Sequence, residues 1–294
     1  MTLPVSLRER LAGLLGAPVD TMHPEYGGDI NQAARLEVKG TPYFVKWHHS
    51  APPQMFSAEA HGLRLLAEAG AIRVPAVIAW SEAEDGCPAF LLLEYIETGG
   101  RATAQTMERF GAALAELHRH TAPHFGLDRD NFIGRLPQPN TPCQSWAAFY
   151  AEQRIGFQMK LARRNGRLPA RREKLLTRLI ERLPDLLGDE PIAPSLIHGD
   201  LWGGNYLVDA QGGVVLIDPA VCYAHREMDL AMSELFGGYA PCFYEAYFEA
   251  FPAPGYPERR ALYQLYYILA HLNLFGESYG GRVDAIAAHY VGWG

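Results

Sequence analysis

The stretch LIHGDLWGGNYLVDAQGGVVLIDPA, residues 196 to 220, decides the reading of this chain. Short apolar runs alternate in it with polar and turn-forming residues, which predicts strands that end in Asp200 and Asp218 with Asn205 between them. NYLVD-AQGG-VVLID reads as a hairpin that delivers Asp218 to the same place as Asp200. A carboxylate at the end of a buried strand is costly unless something positive sits beside it. The chemistry of the chain follows from what that positive group is.

A separate signal comes from Lys46. In YFVKWH, residues 43 to 48, side chains alternate, so Phe44, Lys46 and His48 share a face. A lysine in mid-strand is ordinarily an edge or solvent-facing residue. The helix that follows, PPQMFSAEAHGLRLLAEAG at 52 to 70, puts Phe56, Glu59, Leu63 and Leu66 on one stripe. A glutamate on an apolar stripe needs a cation, and the preceding strand offers Lys46. Such a strand-lysine to helix-glutamate pair positions the phosphates of ATP in protein-kinase-like enzymes.

The positive group expected beside Asp200 and Asp218 is a metal. HGDLWGGN matches the kinase catalytic-loop pattern H-x-D-L-x-x-x-N, with Gly199 in place of arginine. There the aspartate accepts the proton of an attacking hydroxyl, and the asparagine turns back to hold a metal ion. Asp200 is therefore the expected base, and Asn205 and Asp218 are the expected ligands of Mg²⁺. Gly27 and Gly28, in EYGGDINQAARL, could cradle phosphates with their backbone N–H groups, although two glycines are also a simple turn. No GxxxxGK[ST] occurs, which excludes a P-loop NTPase. In LLLEYIE, the backbone of Glu94, Tyr95 and Ile96 is the expected adenine-binding hinge.

Bulk properties agree. The 294 residues carry a net charge of −7, with 48% apolar and 20% charged residues, an ordinary balance for a globular chain. The negative charge argues against nucleic acid or an anionic membrane as partner. Four scattered cysteines form no CxxC pair, which fits a reducing cytoplasm better than a disulfide scaffold or zinc site. The N-terminal segment, broken by Arg8, Glu9 and Arg10, reads as an amphipathic helix and not as a signal peptide. No apolar run approaches the roughly 18 residues that span a bilayer. A cytoplasmic protein is expected.

Residues 22 to 96 read mainly as strands with one helix inserted after the third. The stretch 121 to 142 reads as a loop, and helices are expected within 103–120, 143–165, 170–187, 227–250 and 257–275. The expected architecture is α+β and two-lobed, protein-kinase-like. Residues 1–97 form a small antiparallel nucleotide-binding lobe, and 98–294 form a larger, mainly helical lobe for catalysis and substrate.

Several blocks resemble one family closely: HGDLWGGN, IDPAVCYAHREMDLAMSELFGG at 217–238, YQLYYILAHLNLFGESY at 263–279, FGLDRDNFIGRLPQPNT at 125–141 and YGGDIN at 26–31. They are similar to the fructosamine kinase (ketosamine-3-kinase) family over nearly the whole chain. The resemblance implies ATP-dependent phosphorylation of the sugar 3-hydroxyl of ketosamines, fructosamine or ribulosamine adducts that are free or protein-bound. The unstable phosphate then releases the amine, a deglycation. Some family members carry cysteine in the glycine loop; Asp29 stands at the matching place here, which puts a thiol switch there in doubt.

Trp202 is placed to stack on the sugar or its amine, or to pack under the loop. His271 and Asn273 line the acceptor cleft, or belong with Tyr263, Tyr266 and Tyr267 to a core stripe. Asp229 is a candidate to bind the catalytic-loop backbone. His118 reads as a packed helical histidine, and His225 and Arg226 as contacts within the large lobe. The competing functions are a kinase for an aminoglycoside, choline or other amino-alcohol, and a regulatory pseudokinase.

Overall fold

The computed structural model describes residues 2–25, 31–188 and 191–292. Its backbone contacts divide the chain into two units, Met1–Ala102 with Leu207–Pro219, and Thr103–Tyr206 with Ala220–Gly294.

The first unit holds an antiparallel five-stranded sheet in the order β1-β2-β3-β5-β4, made of β1 (Thr21–Glu25), β2 (Gln32–Val38), β3 (Thr41–His48), β4 (Val77–Ser81) and β5 (Ala89–Glu94). Helix α1 (Val5–Leu15) buries Leu7 and Leu11 against Leu36, Val45, Trp47 and Phe90. Because neighbours in a strand point to opposite faces, burying Val45 and Trp47 there sends Lys46 to the other side of the sheet. Helix α2 (Met55–Ala69) follows β3 directly. It stops at Gly70, whose φ of 67° is a left-handed cap that donates its N–H to the Leu66 and Ala67 carbonyls.

Residues 207–219 join this unit although they lie far along the chain. Strands β9 (Tyr206–Val208) and β10 (Val214–Leu216) pair as the expected hairpin. Its turn is fastened by Asp209, whose Oδ1 accepts the N–H groups of Gln211 at 3.0 Å and Gly213 at 2.8 Å. Leu216 donates its N–H to the Arg73 carbonyl at 2.9 Å, and Ala210 to that of Glu97 at 3.0 Å. Gly100 passes so close that a Cβ there would lie 2.1 Å from the Asp209 carbonyl oxygen. A single cut at residue 97 contains no sign of this return of the chain.

The second unit is mainly helical. Helix α3 (Ala104–Leu117) starts on Thr103, whose hydroxyl accepts the Thr106 N–H at 3.1 Å. Where a single helix was expected over 143–165, a π-helical segment, Tyr150–Gly156, separates α4 (Trp146–Phe149) from α5 (Phe157–Arg164). Helix α6 (Ala170–Leu187) forms as expected. The expected helical region 227–250 divides at Gly237 and Gly238, with φ of 103° and 74°, into α7 (Glu227–Leu235) and α8 (Pro241–Ala250). Helix α9 (Tyr256–Phe275) is followed by a 3₁₀ turn, Glu277–Tyr279, and by α10 (Gly280–Val291), for which no helix was expected.

The stretch 121–142 is not simply a loop. Strands β6 (Asn131–Ile133) and β7 (Leu136–Gln138) form a hairpin within it, held by buried amides. Gln138 and Asn140 both donate to Asn131 Oδ1 at 2.8 Å, while Asn131 donates to the Val221 carbonyl. Strand β8 (Ser195–Ile197), which leads into His198, pairs antiparallel with β11 (Cys222–Ala224).

Candidate active site

Lys46, Glu59 and Asp218 come together in the first unit. Lys46 Nζ lies 2.5 Å from Glu59 Oε1 and 2.6 Å from Asp218 Oδ1. Burial works against the charge on Lys46, but Asp218 and Glu59 outweigh it and hold the ammonium above the usual lysine range. Burial, seconded by Asp218, pushes the Glu59 carboxyl up, and Lys46 opposes that shift. Two carboxylates around one ammonium leave the group short of positive charge, the condition that favours a further cation. Asp218 sits at φ 55°, a left-handed backbone that a non-glycine residue adopts only where its surroundings enforce it.

Glu94, Tyr95 and Ile96, the expected hinge, lie at the end of the same sheet. Glu94 gives its N–H to the Ala76 carbonyl at 2.8 Å, so that donor is already committed within the protein. Its side chain accepts from Arg73 Nη2 at 2.6 Å and from the Ala76 N–H at 3.1 Å. Ile96 is buried, and the Tyr95 hydroxyl lies 3.5 Å from Glu25 Oε1. Arg73 also donates to Asp209 Oδ2 at 3.0 Å, and so ties the hinge to the hairpin that ends at Asp218. Sequence reasoning missed Arg73 and Asp209; a lone arginine in an aperiodic loop gives no signal. Gly27 and Gly28 lie outside the described residues.

Asp200 and Asn205 come together in the second unit. Asn205 donates its amide nitrogen to the Asp200 carbonyl at 2.8 Å and to Asp200 Oδ2 at 3.1 Å. That fixes the Asp200 carboxylate and leaves the amide oxygen of Asn205 as the side chain's remaining ligand atom. The loop is anchored from beneath by Asp229, which accepts the N–H groups of His198 and Gly199 and faces His118 Nε2 at 3.2 Å. The other ring nitrogen of His118 meets the Tyr247 hydroxyl at 2.8 Å, so His118 is a packed histidine as expected. Gly199 explains its own identity: φ is 84°, and a Cβ would lie 2.0 Å from the Ala220 carbonyl oxygen.

The remaining candidates separate. Trp202 is partly exposed, and its indole lies over Gly204, where a Cβ would meet Cη2 at 2.3 Å. His271 is half-buried, with Nδ1 held 2.8 Å from the Tyr267 carbonyl. Asn273 is a correction. Its amide is buried and donates to the carbonyl and Oε1 of Gln158 at 3.0 and 2.8 Å, which locks α9 to α5. An asparagine on a helical stripe looks the same in sequence whether it faces a cleft or a neighbouring helix. His225 and Arg226 pack within the unit, His225 on the Tyr263 hydroxyl and Arg226 over the Phe251 ring.

Among the described residues no cluster of three or more His, Cys, Asp or Glu side chains could hold a metal ion. Mg²⁺ asks for less: one or two protein oxygens, the rest coming from phosphates and water. The Asn205 amide oxygen and the Asp218 carboxylate are donors of that kind.

Comparison with known proteins identifies the lineage. A family model described as fructosamine kinase matches residues 9–291. The chain is 40% identical over 268 residues to the chloroplastic protein-ribulosamine 3-kinase of Arabidopsis thaliana, covering 90% of this chain and 81% of that one. It is 43% identical over 283 residues to a Lactiplantibacillus plantarum protein provisionally named a ketoamine kinase, covering 95% and 98%. A Thermobifida fusca crystal structure provisionally named a fructosamine-3-kinase superposes with a TM-score of 0.87 at 36% identity, covering 97% and 98%. Aminoglycoside phosphotransferase APH(4)-Ia, in a complex with AMP-PNP and hygromycin B, shares the fold at a TM-score of 0.68 and 16% identity, covering 96% and 98%. The fold is protein-kinase-like, the protein is a phosphotransferase, and the chain belongs to the fructosamine kinase family.

Proposed function

We propose that this kinase transfers the γ-phosphoryl group of ATP to the sugar 3-hydroxyl of ketoamines, fructosamine or ribulosamine adducts, and thereby frees the amine. Asp200 accepts the hydroxyl proton as the sugar oxygen bonds to the γ-phosphorus, while the bond from that phosphorus to the β–γ bridging oxygen breaks and ADP leaves. Lys46, held by Glu59, places the nucleotide phosphates. The carbonyl of Glu94 and the backbone of Tyr95 and Ile96 meet adenine. Asn205 and Asp218 would hold Mg²⁺ through their side-chain oxygens, and the ion would neutralise phosphate charge. Trp202 and His271 border the sugar.

The observation that supports the reading most is Asn205 holding Asp200 at both its carbonyl and carboxylate, in a chain of this family. A kinase for aminoglycosides or choline would share the fold alone. Among the described residues no helix is long and apolar enough to cross a membrane, and we place the reaction in the cytoplasm. An acceptor panel of ribulosamines, fructosamines, an aminoglycoside and choline, with ATP and Mg²⁺, tests the reading. Only the ketoamines should consume ATP and release free amine; turnover confined to the aminoglycoside or choline would replace it.

A further inference from the structure

Trp202 heads an unbroken run of rings in the second unit. Its indole meets Phe236 edge-on at 6.4 Å between centroids, Phe236 lies 4.9 Å from His271, and His271 lies 5.4 Å from Phe275 and 5.1 Å from Tyr279. They come from the loop after Asp200, the end of α7, the last turn of α9 and the 3₁₀ turn behind it. Ring clusters of this size usually close a core. Here Trp202, Phe236 and Phe275 are 38%, 42% and 54% exposed. Contiguous exposed apolar surface marks a binding site, and this one begins two residues from the proposed base.

The run carries no charge. His271 is bonded through Nδ1 to the Tyr267 carbonyl, and burial, seconded by Arg282, keeps its pKa below the ordinary histidine value. Three ring-to-ring steps lead from Trp202 to Phe275, each longer than the roughly 3.5 Å that one extended residue advances. The surface therefore suits an occupant that is apolar and several residues long.

We propose that the rings beyond Trp202 form an aglycone subsite, which takes peptides carrying the ketoamine on a lysine flanked by apolar residues. This rests on the reading of Asp200 as the base for a ketoamine sugar. With the sugar at Asp200 between Trp202 and His271, the lysine stem leads onto Phe236, and the flanking residues reach Phe275 and Tyr279. A ketoamine on a small amine would not reach Phe275 or Tyr279.

The test compares two ribulosamines, one on methylamine and one on the lysine of a capped peptide with leucine and phenylalanine beside it. The wild-type enzyme should favour the peptide in kcat/KM. Phe236→Ser and Phe275→Ser should each lower the peptide-to-methylamine ratio by about 10-fold, the scale of a lost apolar contact, and Phe275→Tyr should keep it. Both phenylalanines are exposed, so melting temperatures should stay close to wild type. A ratio that does not respond to either serine variant, or a wild-type enzyme without preference for the peptide, overturns the subsite while ketoamine turnover stands. Loss of turnover on both ribulosamines in the wild type is a different result: it removes the ketoamine reading itself, and the subsite with it.

Discussion

Asp229 accepts the backbone N–H groups of both His198 and Gly199, at 2.7 and 2.8 Å, so a carboxylate on α7 holds the loop that carries Asp200. The carboxylate is fully buried, and its oxygens meet donors from two directions. Replacing it with alanine leaves two buried N–H groups without that acceptor, at about 1–3 kcal/mol for each unsatisfied group. Asp229→Ala should melt markedly lower than wild type and lose turnover, with KM for ATP changed little. Scanning calorimetry and steady-state kinetics check this; an unshifted melting temperature would show that the loop holds itself.

The Lys46–Glu59 pair separates stability from catalysis. Lys46→Met leaves the buried Glu59 without its cation and should cost about 3–5 kcal/mol, the usual loss when one partner of a buried pair is removed. Lys46→Met combined with Glu59→Leu removes both charges and should recover most of that stability. Activity should not return, because the phosphate-positioning ammonium is still missing. Urea unfolding beside turnover checks the contrast, and recovery of both together would deny Lys46 its proposed role.

Gly199→Ala meets two obstacles, a φ of 84° and a backbone oxygen 2.0 Å from the new Cβ. Gly203, four residues on, has nothing within 4 Å of a Cβ. Alanine at 199 should therefore abolish most turnover, and alanine at 203 should change little. Equal effects at the two positions would mean that the loop tolerates a shift of the Ala220 backbone.

Arg73 joins Glu94 to Asp209 with one guanidinium, while its carbonyl receives the Leu216 N–H two residues before Asp218. Arg73→Lys keeps the charge but loses the fork that reaches both carboxylates. If Arg73 positions Asp218, Arg73→Lys and Arg73→Gln should both raise the Mg²⁺ concentration needed for half-maximal activity, with KM for the ketoamine unmoved. A uniform loss at every Mg²⁺ concentration would mark a merely structural tie.

Buried histidines set an acid limit. His118 and His225 are both driven below the ordinary value of 6.5 by burial, and for His225 by Arg226 and Arg259 as well. The unfolded chain then takes up protons that the folded chain refuses once the pH falls below about 6.5. Stability conferred above that pH is thus lost as the pH drops toward the folded-state values. The melting temperature should fall between pH 7 and pH 5, and His118→Gln, less stable at pH 7, should show a shallower fall.

The sheet and its inserted helix were legible because alternation and a helical stripe are local patterns, and Lys46 and Glu59 because a charge on an apolar stripe needs an opposite charge. The hairpin 207–219 was legible as a hairpin, but its place in the first unit was not, since that depends on Arg73 and Glu97 carbonyls far away in sequence. The strands at 131–138 are held by side-chain amides of Asn131, Gln138 and Asn140, which look like loop residues in sequence. Asn273 stayed open between a cleft and a core stripe because nothing local distinguishes a cleft position from its bond to Gln158.

The central claim is that Asp200 takes the proton of a ketoamine hydroxyl. The direct measurement supplies a ribulosamine, ATP and Mg²⁺ to the wild type and to Asp200→Asn, and follows ³¹P resonances and free amine together. A sugar 3-phosphate followed by amine should appear with the wild type, and turnover should fall by about 10²–10⁴-fold in the variant, the range for loss of a general base. Unchanged turnover in Asp200→Asn, or a wild-type enzyme that leaves the ribulosamine unphosphorylated, would contradict it.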